Sequence, residues 1–266
     1  MQRRQALLIG ASAVASGCAT PLTDTDSPRP TWIQNGTLRV AINHGNAVLA
    51  RRHADSGELS GVSVDMAREL GRQLQVQVQL VPFDAANQSV LAVRNGQADV
   101  GFFAIDPLRS DGLLFTSPYV VIEGAYAVPL ASPLLSAADV DKPGVRVAVA
   151  TRSAYDLFLT RSIQHATLIR TSRSDQVIDL MMAQRLEVAA GVKQQLERDM
   201  QRVSGLRLLQ PSFMQIHQAM ATTAGYPDNV RYLRQFVEEL KASGFVKQAL
   251  IRHGIEGVSV APLQKD

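Results

Sequence analysis

Leu38-Arg39-Val40-Ala41-Ile42, set between Asn35-Gly36 and Asn43-His44-Gly45-Asn46, decides how the rest of the chain is read. Apolar side chains alternate along it and turn formers bound it on both sides, which predicts a strand followed by a loop. From Asp65 onward Met66, Ala67, Leu70 and Leu74 recur at helical spacing, and Asp65 suits the positive N-terminus of that helix. Val76-Gln77-Val78-Gln79-Leu80 alternates again and is expected to stop at Pro82, which has no N–H for a sheet ladder. Val90, Leu91 and Val93 mark a second helix closing at Asn95-Gly96, and Asp99 leads into the apolar strand Val100-Gly101-Phe102-Phe103. Strand, helix, strand, helix, strand is the pattern of an α/β sheet with parallel pairings.

The pattern recurs. Val145-Arg146-Val147-Ala148-Val149 reads as a strand, Ala154 to Ile163 as a helix, Thr167-Leu168-Ile169 as a strand and the stretch from Ser174-Asp175 as a helix, followed by Leu186-Glu187-Val188-Ala189-Ala190. In both halves a helix ends, an acidic residue follows (Asp99, Glu187), and an apolar strand starts. Two lobes of like build are expected, with a ligand cleft between them. Tyr119 to Val128 is long and β-rich and Ile216 to Ala221 offers a second crossing, while the helical end from Asp228, broken at Gly244, packs back on the first lobe. The expected division is 37–125 with 219–266 as the first lobe and 126–218 as the second.

Composition sets the class. Of 266 residues 46% are hydrophobic and 19% charged, as in soluble globular proteins. Lys and Arg number 27 against 24 Asp and Glu; without Arg3 and Arg4 the balance is 25 to 24, too even for an electrostatic grip on nucleic acid. The single cysteine, Cys18, excludes an internal disulfide and a Cys-based zinc site, and the five histidines lack metal spacing, so neither metal nor cofactor is expected.

The N-terminus reads as an export signal. Met1-Gln2-Arg3-Arg4-Gln5 is a short positive region, Ala6 to Ala15 an apolar one, and Ser16-Gly17-Cys18 supplies small residues before a cut. Ala15-Ser16-Gly17-Cys18 resembles a bacterial lipobox, with Ala where Leu is usual; the alternative cut follows Ala19. Arg3-Arg4 also resembles a twin-arginine signal, leaving the export route open. Residues 1–17 are thus expected as signal peptide, Cys18 as a lipidation site anchoring the protein to a membrane, and 18–36, rich in Thr and Pro, as a tether.

Four ordered motifs carry a resemblance: Gly61-Val62-Ser63-Val64-Asp65-Met66-Ala67, Asn95-Gly96-Gln97-Ala98-Asp99, Ile105-Asp106-Pro107-Leu108-Arg109 and Phe115-Thr116-Ser117-Pro118-Tyr119. They are similar to G-F-D-V-D-L-A, N-G-x-x-D, I-T-x-x-R and F-S-x-P-Y of the extracytoplasmic solute-binding proteins of family 3, the polar-amino-acid type that feeds ABC transporters. The resemblance implies a type II periplasmic-binding fold, two α/β lobes joined by two crossing strands. It also implies a monomer that captures a small carboxylate in the periplasm or cell envelope and presents it to an inner-membrane permease.

The same resemblance assigns the site. Arg109 is the carboxylate clamp, a planar fork matched to a carboxylate. Ser153 is the second-lobe hydroxyl at a helix N-terminus. The family's hydroxyl positions are here Ala104 and Asp106, its stacking aromatic is Ala85, and its ammonium-binding aspartate aligns with Val192. Asp106 reads either as a substitute counter-ion or as a turn cap, and Arg152 either as a second cleft charge or as a solvated strand end. His44 lies at the expected cleft mouth. A buried ammonium without its counter-ion is disfavoured, so α-amino acids are expected to bind poorly. No nucleophile–base motif such as G-x-S-x-G occurs, which favours binding over catalysis; the competing class is a periplasmic lyase of the cyclohexadienyl-dehydratase kind on the same fold.

Overall fold

In the computed structural model, Ile33 and residues 36–264 are described. The expected signal peptide, Cys18 and nearly all of the tether lie outside them. The chain runs β1 (Thr37–Asn43), β2 (Arg51–Arg52), β3 (Leu59–Ser60), α1 (Val62–Leu74), β4 (Gln77–Phe83), α2 (Ala86–Arg94), β5 (Val100–Ala104) and the long β6 (Leu113–Pro129). It continues through β7 (Arg146–Ala150), α3 (Ala154–Ser162), β8 (Thr167–Thr171), α4 (Val177–Gln184), β9 (Val188–Val192), α5 (Lys193–Arg202), β10 (Leu206–Leu208) and β11 (Met214–Thr223). It closes with α6 (Pro227–Ala242), α7 (Phe245–Arg252) and β12 (Ser259–Val260).

One sheet runs through both halves in the order β4-β1-β5-β11-β6-β9-β7-β8, with β10 and β12 also on β6. The trios β4-β1-β5 and β9-β7-β8 are parallel inside. Between them β11 and β6 run antiparallel to each other and to their outer neighbours. β6 pairs along its length with β11, and its far end reaches β9, so these two strands carry the chain from one trio to the other.

The described residues form two large hydrophobic clusters, one for each trio, and a smaller one. Leu38, Val40 and Ile42 of β1 enter the first beside Met66 and Leu70 of α1 and Phe236 and Leu240 of α6. Ala41, on the opposite face of β1, meets Val90 and Val93 of α2 instead, as a period of two requires. The second cluster joins Val147 and Val149 of β7 to Leu159, Met181, Val188 and Leu196. α1 starts at Gly61, whose φ of 129° and close approach to the Leu49 carbonyl leave no room for a Cβ. Asp65, in its first turn, pairs with Arg252 at the end of α7 and with His253 just after it, at 2.8 and 2.9 Å.

The recurring acidic residues have a shared task. Asp99 accepts the backbone N–H of Arg39 at 2.8 Å and pairs with its guanidinium. Glu187 does the same for Arg146, accepting its backbone N–H at 2.8 Å and its guanidinium at 2.9 and 2.8 Å. Each acid thus pins the start of the central strand of its trio.

Two elements differ from expectation. β4 runs through Pro82 to Phe83, because it is the edge strand with β1 as its partner, where a residue without an N–H is tolerated. α5 follows β9 directly, although Lys193–Arg202 is so polar that no helix is evident; its signal is the sparse series Val192, Leu196, Met200, Val203, which packs on the second cluster.

Candidate functional site

Between the two large clusters lies a cavity of about 60 Å³. Its first wall comes from the loop after β1 (Asn43, Gly45, Asn46), from Phe102, Phe103 and Ala104 of β5, and from Arg109. Facing them are Ser153, Ala154 and Tyr155 at the start of α3, Ser174, and Gly191, Val192, Gln195 and Leu196 at the β9–α5 junction. Ile216 and Gln218 of the crossing strand β11 form part of the base. Among the described residues that line it, Arg109 is the one that carries a charge.

Arg109 is 4% exposed. It sits in the loop between β5 and β6, donating from Nη1 to the Ala104 carbonyl at 3.2 Å and from Nη2 to the Arg152 carbonyl at 3.0 Å. Burial lowers its pKa to about 10, opposed by the charge of Asp106, so it stays protonated at neutral pH. Two of its five N–H groups are used in these bonds, leaving a cation with donors for an anionic ligand.

The opposite wall is shaped by a turn that few residues adopt. Arg152 has φ 55°, a left-handed conformation, which directs its carbonyl to Arg109 while its N–H meets Asp156 at 2.7 Å. Ser153 caps α3, its hydroxyl accepting the Asp156 N–H at 3.0 Å. Its O–H proton remains available to donate, and the helix N-terminus favours an anion there. Tyr155 donates to the Ser174 hydroxyl at 3.1 Å, and burial pushes its phenol up to about 12.

Of the residues singled out in the sequence, Arg109, Ser153, Ala104 and Val192 line this cavity and Asp106, Arg152, Ala85 and His44 do not. Asp106 points elsewhere: its carboxylate accepts the Leu108 N–H at 2.9 Å and both ends of the Arg161 guanidinium at 3.2 and 2.7 Å. Asp106 thus makes a turn-cap contact, and its charge is matched across the cleft by Arg161 of α3. Arg152 borders a separate hollow beside Arg109, and Ala85 a crevice at the mouth with Asp84 and Ser172. His44 pairs with Asp84 at 3.0 Å; burial lowers its pKa and Asp84 opposes the shift.

Gln195 and Leu196 were hidden with the unrecognised helix α5. Gln218, 6% exposed, lies within a strand that was read only as a crossing. Arg161 gave no signal, since an arginine in a helix is ordinarily a solvated one. Besides the Arg109 and Arg161 contacts, Gln194 of α5 donates to the Gly257 carbonyl at 2.9 Å. Among the described residues no group of three or more His, Cys, Asp or Glu could hold a metal ion, and no helix is long and apolar enough to cross a membrane.

The family model of the bacterial extracellular solute-binding proteins, family 3, matches residues 38–254. Among solved structures, the solute receptor for L-cysteine of Neisseria gonorrhoeae superposes with a TM-score of 0.73 at 20% identity, covering 84% of this chain and 92% of that one. A binding component of an ABC transporter from Wolinella succinogenes, complexed with lysine, gives 0.72 at 20% identity over 82% and 96%. An ancestral amino acid-binding protein, a precursor of cyclohexadienyl dehydratase, gives 0.70 at 18% identity over 82% and 94%. Among curated proteins no match is found. The structural likenesses establish the fold, that of the type II periplasmic-binding proteins.

Proposed function

This chain belongs to the bacterial extracellular solute-binding proteins of family 3, and from that premise we propose that its cleft captures a small monocarboxylate without an α-ammonium group for an ABC-transporter permease. The observation that carries this reading is the lining: Arg109 is a buried cation, and no carboxylate lines the cavity among the described residues, Asp106 being paired with Arg161 outside it. A monocarboxylate neutralises that cation. An α-amino acid brings an ammonium group to the position of Val192, where nothing compensates for its desolvation. A dicarboxylate leaves its second charge facing apolar or neutral groups, since Arg152 lies outside the cavity. Leu49, Phe102, Leu196 and Ile216 suit an apolar body.

In this reading Arg109 clamps the carboxylate, Ser153 and the α3 N-terminus donate to it, and Gln218 addresses a neutral polar group. The lining also offers no carboxylate, imidazole, thiol or amine among the described residues, and a dehydration needs an acid and a base. That favours binding over the lyase activity reached from the ancestral neighbour. Titration calorimetry with matched pairs, each an α-amino acid and its α-keto or deaminated analogue, tests the proposal. Tighter binding of the deaminated partner is expected, and tighter binding of the amino acid refutes it. Chromatography of the same mixtures detects any product, which would mark an enzyme.

The export signal and lipid anchor complete the proposal. Cys18→Ser is expected to move the protein from the membrane fraction to the soluble periplasmic one; unchanged membrane association refutes anchoring through this residue.

A further inference from the structure

Gln218 lies within β11 at the base of the cleft, 6% exposed. It stands directly opposite Ala104 in the antiparallel β5–β11 ladder, and the Ala104 carbonyl accepts from Nη1 of Arg109 at 3.2 Å. Residues opposed in this way project to one face with Cα atoms about 4.5–5.5 Å apart. Both line the cavity, which sets the Gln218 side chain next to the guanidinium that takes the carboxylate. The ladder between β11 and β6 shifts register between Gln218 and Ala219, an irregularity of the kind that re-aims a side chain at a site.

The other buried polar side chains of the lining are engaged within the protein. Ser63 shares a hydrogen bond with Tyr119 at 3.2 Å, Tyr155 donates to Ser174, and the Ser153 hydroxyl accepts the Asp156 N–H. Gln195 is held at both ends, its amide donating to the two Asp199 oxygens at 3.1 Å and its carbonyl accepting from Arg198 at 2.8 Å. The side-chain amide of Gln218 has no hydrogen-bond partner among the described residues. Burying an unpaired amide is unfavourable where an apolar side chain would pack as well, and its neighbour on the same face of β11 is the apolar Ile216. Its NH₂ donates and its oxygen accepts, so the base of the cleft offers a neutral polar contact beside the cation.

The space limits what can use that contact. The lobes already meet, through the Arg109–Arg152 contact at 3.0 Å and the Asp106–Arg161 pair at 2.7 Å, so the cavity of about 60 Å³ bounds the ligand. At about 10–15 Å³ for each water-sized particle, there is room for about four to six non-hydrogen atoms, of which a carboxylate takes about half. Resting on the monocarboxylate reading of the cleft, we propose that the ligand is an acid of about two or three carbons with an oxygen on the carbon next to the carboxylate, a 2-hydroxy or 2-oxo acid. Gln218 is the residue that selects for that oxygen. With the carboxylate on Arg109 the adjacent carbon is the one within its reach, and Leu49, Leu196 and Ile216 accommodate a methyl group.

Calorimetry on the purified protein compares propionate, lactate and pyruvate, acids of one carbon skeleton that differ at the second carbon, with 2-hydroxyhexanoate as a longer probe and alanine as the zwitterion. Lactate or pyruvate is expected to bind at least about tenfold tighter than propionate, because the acid without the oxygen leaves the amide unpaired in the closed cleft. 2-Hydroxyhexanoate is expected to bind at least about tenfold weaker than lactate. In Gln218→Met and Gln218→Leu, which keep the bulk and lose the amide, the preference over propionate should shrink below about threefold, with propionate itself within about threefold of the wild type. Propionate as tight as both oxygenated acids, a preference that survives in either variant, propionate lost along with them, or a longer acid as tight as lactate each overturns the proposal and leaves the monocarboxylate reading standing. Failure of all these acids to bind likewise overturns it. Alanine as the tightest ligand overturns both.

Discussion

Replacing Arg161 by Met is expected to loosen the closed arrangement. Arg161 reaches from α3 to Asp106 with hydrogen bonds of 3.2 and 2.7 Å; the carboxylate is 6% exposed and the guanidinium side chain 40%. Removing one partner of a fully buried pair costs about 3–5 kcal/mol, while a pair exposed on both sides is worth about 0–1 kcal/mol. With one partner buried and the other in partial contact with water, about 1–2 kcal/mol is the reasonable figure. The two residues belong to different lobes, so the loss falls on the arrangement in which the lobes meet and spares both cores. It lowers the closed-to-open ratio about 5–30-fold. Small-angle scattering of the ligand-free variant should show a larger radius of gyration, and the affinity for the tightest acid in the screen should fall in proportion to the closed fraction, by at most the same factor. Adding Asp106→Asn removes the stranded charge, so the double variant should recover part of the loss. An affinity change below about twofold (roughly 0.4 kcal/mol), or strictly additive effects, refutes the latch.

Arg109→Ala should weaken the same acid by about 2–5 kcal/mol, since it strips the partner from a desolvated charge; calorimetry showing a loss under about tenfold removes Arg109 from the clamp role. Val192→Asp places a carboxylate in the cavity wall and should reverse the preference within a matched pair towards the α-amino acid by tenfold or more, about 1.4 kcal/mol; an unchanged order of affinities contradicts the charge argument. His44 has a lowered pKa, so the folded protein favours its neutral form. Stability from this group is then full above the ordinary histidine value, about 6.5, and is lost as the pH falls below it. Melting midpoints between pH 8 and 5 should decline more steeply for the wild type than for His44→Gln, and parallel curves exclude the effect.

Local patterns carried most of the architecture. The alternation in β1, the helical spacing from Met66 to Leu74 and the apolar run of β5 are enforced by burial on a defined face, and that enforcement is what a sequence displays. α5 escaped because, of the three residues it buries, Gln194, Leu196 and Asp199, only Leu196 is apolar, so its ten residues read as solvated. Pro82 misled because its effect depends on whether the strand is central or at an edge, a property of sheet order and not of the strand. The site divided in the same way. Arg109 and Ser153 stand in motifs whose local geometry places them, at the loop after β5 and at the N-cap of α3. Asp106 could not be resolved, since its partner lies 55 residues away on the other lobe, and a turn cap and a counter-ion look alike until that partner is seen.

In the proposed reading, two departures that the sequence resemblance implies, Asp106 for a hydroxyl and Val192 for an aspartate, act on one charge balance. An amino-acid site needs an arginine for the carboxylate and an acid for the ammonium, so a zwitterion enters a cavity of matching and opposite charges. Here the wall carries Val192 and no acid among the described residues, and Asp106 is turned to Arg161, an ion pair that in this reading serves closure. Among the described residues that line it, Arg109 is the one charge. A zwitterion in that space would leave one positive charge without a partner in a water-excluded site, whereas a monoanion leaves none, and the difference is the desolvation of a full charge. Selectivity by this route requires no contact that recognises the missing ammonium. It requires only that the cleft close, which the pair between Asp106 and Arg161 favours for any ligand small enough to fit.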